Sequence, residues 1–164
     1  SGLVYQSVRI LRLIGSVVQP QRVGKLELHE ALARDCALVG DLALFRLLLM
    51  NDKQYPWLIL VPRRAEMREI CDLSGDDQLQ YLQESNLCSA ILRSEFGAEK
   101  LNIAALGNMV PQLHIHHIAR FSSDPAWPKP VWGQLPAKPY STDELQGVVA
   151  QLRKVIQGRS ALDF

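Results

Sequence analysis

The sequence predicts an α+β domain with an antiparallel sheet, and three features predict it. Two apolar runs, residues 44–50 and 57–62, flank a turn signal at Asn51, Asp52 and Lys53 and read as a hairpin. A helical segment of about twenty residues opens at Ser74 and closes near Gly97, and a second helical pattern runs from Ser141 or Thr142 to Gly158. Between the two helices, residues 107–120 hold three of the four histidines of the chain.

At 164 residues the chain suits a single core, and an apolar content of 48% supplies it. The 18 Lys and Arg nearly cancel the 17 Asp and Glu, so there is no general attraction for nucleic acid or an anionic membrane, and any phosphate binding is local. Cys36, Cys71 and Cys88 are odd in number and irregular in spacing, which points to reduced thiols and a cytoplasmic setting. Residues 1–24 stand apart as an extension of unknown role. Their apolar stretch is interrupted by Arg9 and Arg12 and closed by Gly15 and Pro20, too short and too charged to span a bilayer and without the order of a secretory signal. Val4, Val8, Leu11 and Ile14 suit a peripheral helix or a strand packed on the body.

The body is expected to span residues 25–140, with residues 141–164 as a C-terminal helix and frayed tail. Leu26, Leu28, Leu32 and residues 37–39 lead into the hairpin. Arg63 and Arg64 after the second strand read as solvated basic residues, with steering of a polyphosphate as the alternative. Residues 65–73 form a short helix or turn. Ser74 is then a helix N-cap with Asp76 and Asp77 in the first turn. Leu79, Leu82, Asn86, Ala90 and Phe96, with Leu87 and Ile91 beside them, make the predicted inner face, and acidic and amide residues face solvent. Residues 101–106 are a strand and residues 107–111 a loop. Residues 121–133, rich in Pro and Trp, read as a surface loop, with capping of a pocket or a dimer contact as alternatives. Leu145, Val148, Val149, Leu152, Val155 and Ile156 give the last helix its apolar stripe.

Successive side chains of a strand point to opposite faces, so Gln112, His114 and His116 line one face while Leu113, Ile115 and His117 line the other. Residues two apart lie about 6.5–7 Å apart, near enough for two imidazoles to act on one ligand. Three readings are open: a metal site, a polar strand face, or histidine chemistry on an electrophile. Zinc asks for three or four protein ligands, and no Cys-x-x-Cys or His-Glu-x-x-His accompanies the row.

Residues 112–120, Gln-Leu-His-Ile-His-His-Ile-Ala-Arg, resemble the motif of the histidine triad (HIT) superfamily of nucleotide hydrolases and transferases, in which three histidines alternate with apolar residues after a glycine-containing loop. In the better anchored register Gln112 stands at the first triad position, with His114 and His116 at the second and third. Gly107 then falls where the loop glycine does, and Arg120 matches the family's Pro-Arg ending, with Ala119 in place of Pro. The resemblance implies a sheet of about five antiparallel strands with a long helix against it, a nucleotide as ligand and a homodimer. It implies no metal or other cofactor, and nothing points to nucleic acid or a membrane as a partner.

The resemblance further implies that His114 is the nucleophile. A neutral imidazole, with a pKa near 6.5, is available at neutral pH to attack the α-phosphorus of a nucleotide, giving a nucleotidyl-histidine that water hydrolyses. Its other ring nitrogen then donates to a backbone carbonyl, which fixes the reactive tautomer. Backbone N–H groups near Gly107, the Asn108 and Gln112 amides and His116 are the expected donors to the phosphoryl oxygens. Gln112 cannot hold a proton as a histidine would. Met109 stands where some members have a hydroxyl residue. Asn51, with Asp52 as runner-up, is expected to bind the ribose, and Asn102 to reach the site from its strand. The alternatives are a nucleotide-binding protein with little turnover and a metal site on His114 and His116.

Overall fold

The computed structural model describes residues 25–159, so the predicted extension at residues 1–24 and the tail beyond Arg159 lie outside the described residues. Its elements are α1 (Glu30–Asp35), β1 (Cys36–Asp41), β2 (Phe45–Met50), β3 (Trp57–Pro62), α2 (Gly75–Phe96), β4 (Lys100–Ala104), β5 (Ile115–Arg120) and α3 (Thr142–Arg159). The five strands form one antiparallel sheet in the order β1-β2-β3-β5-β4. The α+β class, the hairpin and both long helices appear as predicted. β1 and α1 are elements that the apolar pattern alone had not delimited, and residues 65–73 contain a single 3₁₀ turn, Ile70–Asp72.

The three inner strands β2, β3 and β5 are covered on both faces, which is why β3 reads as an unbroken apolar run and β2 as one interrupted only by Arg46, while the histidines and arginine of β5 are buried. Phe45, Leu47, Leu49, Leu58, Leu60, Ile115 and Ala119 turn toward α2 and α3 and pack with Ile91, Leu92, Val149 and Leu152. Leu48, Trp57, Ile59, Val61 and Ile118 turn the other way, against Leu32 of α1 and against Ala126 and Val131 of the 121–133 connection. That connection is the predicted surface loop, and through Ala126 and Val131 it also covers part of one face of the sheet.

The helix ends follow local chemistry. Ser74 Oγ accepts from the Asp77 N–H at 3.1 Å, and Gly97, at φ 69°, closes α2 in the left-handed conformation. Ser141 and Glu144 cap α3 reciprocally: Ser141 Oγ accepts from the Glu144 N–H (3.2 Å) and the Glu144 carboxylate from the Ser141 N–H (2.8 Å). β1 carries a bulge between Leu38 and Gly40, and the Arg153 guanidinium of α3 donates to the carbonyls of Val39 and Leu38 beside it.

The inner face of α2 differs from the predicted one. Leu79 and Leu82 are 64% and 54% exposed, whereas Glu84, Ser85, Cys88, Ile91 and Leu92 are buried. The reason lies in two polar residues that have partners. Glu84 accepts the N–H groups of Leu44 and Phe45 at 2.8 and 2.9 Å, and Ser85 bonds to His117 at 2.7 Å, so the polar half of the helix can face inward. The basic pair after β3 is also not solvated: Arg64 forms a bidentate pair with Asp77, and Arg63 donates to the Leu42 and Ala43 carbonyls.

Burial raises the Glu84 carboxyl above the usual range, opposed by the N–H groups it accepts. Replacing Glu84 by Ala strands two N–H groups, and a loss of about 2–4 kcal/mol is expected in urea unfolding. Glu84→Gln, which keeps one acceptor, should lose less. Equal stability of Glu84→Ala and the wild type would show that the two N–H groups find other acceptors.

Candidate active site

β5 begins at Ile115, so His114 is the last residue before the strand and Gln112 sits in a bend. The predicted alternation nevertheless holds from Leu113 onward. Leu113 and Ile115 enter the core beneath the helices, and His117 reaches Ser85 of α2. His114 and His116 emerge together on the opposite face, 7% and 5% exposed, with ring centroids 4.9 Å apart and planes at 73°. Ile59 of β3 and Ala104 of β4 are the cross-strand neighbours of His116. Trp57 and Trp132 stand edge-on to its ring at 5.6 and 5.2 Å.

The partners of the rings fix their tautomers. His114 Nδ1 lies 2.7 Å from the Gln112 backbone carbonyl, which can only accept, so this nitrogen carries the proton and the neutral ring keeps its lone pair on Nε2. His116 is the reverse. The Trp57 indole N–H, which can only donate, points at His116 Nδ1 at 3.0 Å, so the proton of the neutral ring is on Nε2. One ring of the pair therefore offers a nucleophilic lone pair and the other an N–H donor. His117 is used structurally: Nδ1 donates to the Ile115 carbonyl at 3.2 Å and Nε2 accepts from the Ser85 hydroxyl.

Burial pushes the His116 pKa down to about 3, with His114 and His117 adding to the shift, and burial pushes His117 down to about 4. Both rings are thus neutral through the physiological range, and His116 acts as a hydrogen-bond donor there without being a cation.

Gly107 adopts φ 70°, a left-handed conformation that favours glycine, and it starts the exposed turn carrying Asn108 and Met109. Met109 is 93% exposed. The Gln112 amide is engaged elsewhere: Oε1 accepts the His29 N–H at 2.7 Å and Nε2 donates to the Glu27 carbonyl at 3.0 Å. Asn51 accepts the Tyr140 N–H, and Asp52 accepts from Gln54 and from the Lys138 N–H, so both fasten the segment leading into α3. By strand spacing, Asn51 lies roughly 14 Å from His116 at the backbone. Asn102 lies on the face of His116, two residues from Ala104, and its Oδ1 accepts from Arg120 at 2.7 Å. Among the described residues, no three His, Cys, Asp or Glu side chains converge to hold a metal ion.

Three features escaped the reading of the sequence. Trp57 looked like the first residue of a core strand and Trp132 like one ring of a Pro and Trp-rich stretch; only the fold brings both to His116. The ending Arg120 is buried, in a bidentate pair with Asp124 at 2.8 and 3.1 Å, and it also donates to the Lys129 carbonyl. The guanidinium stands 5.9 Å from the Tyr55 ring and 5.7 Å from that of Trp127. Asp124 further accepts the N–H groups of Phe121 and Ala126, so Arg120 ties down the connection that carries Trp132. Its sequence signal was the spacing Arg120 to Asp124.

Trp57→Phe removes the indole N–H but keeps an aromatic ring. His116 is then expected to populate both neutral tautomers, read from imidazole ¹⁵N shifts, while His114 keeps the Nδ1–H form; an unchanged His116 would disprove the role given to Trp57. A second expectation concerns pH. Unfolded histidines gain protons below about 6.5, whereas His116 and His117 stay neutral in the folded state down to about 3 and 4. The unfolded state binds more protons in this interval, so stability falls with pH by roughly 1.4 kcal/mol per unit for each histidine. Urea unfolding between about pH 7 and 5 measures the slope, and His117→Gln, which cannot titrate, should remove one histidine's share.

The HIT domain family matches residues 32–123. A histidine triad protein from Marinobacter aquaeolei VT8 is 47% identical, with a TM-score of 0.79 over 82% of this chain and 98% of its own. Histidine triad proteins from Sinorhizobium meliloti 1021 and Bradyrhizobium japonicum are 45% and 44% identical, each with a TM-score of 0.78 over 81% of this chain, and 98% and 99% of their own. Comparison with curated proteins gives no match. The chain belongs to the histidine triad family, whose members bind nucleotides.

Proposed function

We propose that the protein is a nucleotide hydrolase or nucleotidyl transferase in which His114 attacks the α-phosphate of a nucleoside monophosphate derivative. The observation that carries this reading is the opposed tautomers of the histidine pair, a free Nε2 lone pair on His114 beside an Nε2–H donor on His116. The His114 Nε2–P bond forms as the bond from phosphorus to the leaving group breaks, and the leaving amine, alcohol or phosphate takes up a proton from solvent, which the attacking water returns in the second step. Water then attacks the phosphorus, the P–N bond breaks, and the nucleoside monophosphate is released with His114 neutral again. His116 Nε2–H and the backbone N–H groups near Gly107 and Asn108 meet the charge on the phosphoryl oxygens. The amide of Asn102 on the same face and Asn51 or Asp52 at the end of β2 are assigned to the nucleoside side. The substrate class is a phosphoramidate, a dinucleoside polyphosphate or a nucleotidyl ester.

The wild type and two variants, His114→Ala and His116→Ala, should be incubated with adenosine 5′-phosphoramidate and with diadenosine polyphosphates in the presence of chelator. AMP release by the wild type is expected, abolished in His114→Ala and reduced on the order of 10²-fold in His116→Ala, with an adenylyl adduct seen by intact-protein mass spectrometry. Full activity in His114→Ala would remove that residue as nucleophile. Nucleotide binding by the wild type without AMP from any of these substrates would favour a binding role.

A further inference from the structure

Gln112 occupies the first triad position, yet its amide does not face the histidine pair. Both ends of it bond the backbone of an extended segment, to the N–H of His29 at 2.7 Å and the carbonyl of Glu27 at 3.0 Å. The N–H and C=O flanking Leu28 are thus paired as a neighbouring strand would pair them, by one planar group with its donor and acceptor on the same edge. An imidazole also has one donor and one acceptor, but on opposed sides of the ring, and cannot meet both groups at once. The residue held by the stronger of these bonds has a task of its own: His29 is the N-cap of α1, its Nδ1 accepting the Ala31 N–H at 3.1 Å. Glu27, Leu28 and His29 also line an open cleft of about 630 Å³ together with Pro62, Met67 and Pro111. Finally, the carbonyl of the same Gln112 orients His114.

We propose that Gln112 is a positioning residue, a clamp whose side chain fastens residues 27–29 to the start of the histidine motif and so fixes the backbone carbonyl that holds His114 in its Nδ1–H tautomer. Glutamine at this position is then an adaptation to the segment and not a vacant catalytic place. Installing the histidine of a complete triad breaks the clamp and impairs the site. The effect on turnover rests on the function proposed above, whereas the clamp itself is read without it.

The test compares Gln112→His, Gln112→Ala and Gln112→Glu with the wild type in the full chain. Backbone amide exchange of His29 is expected to speed up at least about tenfold in the His and Ala variants. It should stay slow in Gln112→Glu, which keeps the acceptor for the His29 N–H but loses the donor to Glu27. In AMP release, kcat should fall about tenfold in Gln112→His with KM little changed, because a misoriented nucleophile affects the chemical step more than binding. His114 ¹⁵N shifts should show loss of the single Nδ1–H tautomer. Unchanged His29 exchange in both the His and Ala variants, or faster turnover by Gln112→His than by the wild type, overturns the proposal. Absence of AMP release by the wild type would count against the proposed function alone, and the exchange and ¹⁵N measurements would still decide the clamp.

Discussion

β5 is enclosed by β3 and β4 at its edges and by packed side chains on both faces, and a polar ring in such a place keeps its proton where a partner requires it. Everything distinctive about the site follows. His117 is satisfied from α2, which allows the strand to carry a histidine into the helix-side core. His116 is satisfied from Trp57 one strand away, and His114 from the chain two residues behind it. Three chemically identical side chains in four positions thereby differ in what they present: His117 is engaged within the core, His116 offers an Nε2–H and His114 an Nε2 lone pair. None of the assignments needs an outside ligand, so the pair is preorganised before a substrate arrives.

Much of this was legible in the sequence where local rules apply. The hairpin, the caps at Ser74 and Gly97, the stripe of α3 and the two-faced alternation around His114 depend on neighbours a few residues apart, and the structure has them all. The expected backbone carbonyl partner of the second triad residue is present as well, in the Gln112 carbonyl. What stayed hidden depends on pairing across long separations. Glu84 looks like a solvent-facing acid until the N–H groups of Leu44 and Phe45 are brought beneath it; Leu79, Leu82 and Asn86 of the predicted inner face are therefore exposed, whereas Leu87, Ile91 and Phe96 do pack on the core. Arg63 and Arg64 looked solvated for the same reason. Gln112 looked like a damaged triad because the segment that uses its amide lies more than eighty residues earlier.

The two sides of the sheet divide the labour. The helix side is a continuous apolar core with Glu84, Ser85 and His117 as its polar members, and it is the larger of the two buried clusters. The other side is closed by smaller pieces, α1, residues 27–29 and the 121–133 connection, each tied to the sheet by a few polar bonds from residues in or beside β5. Gln112 holds the first piece and Arg120 the last, at either end of the same stretch of nine residues. The motif thus organises its own enclosure as well as its chemistry.

The pairing of Arg120 with Asp124 has a consequence for how firmly the site is enclosed. Their side chains are 1% and 2% exposed, and a buried ion pair resists partial loosening, since separating its members leaves a charge without solvent or partner. The connection bearing Trp132 is accordingly held against the histidine side of the sheet by a pair that cannot be parted without leaving a buried charge alone. Residues 105–109, which follow the cross-strand neighbour of His116, are by contrast exposed at four of five positions, with Gly107 in the left-handed conformation.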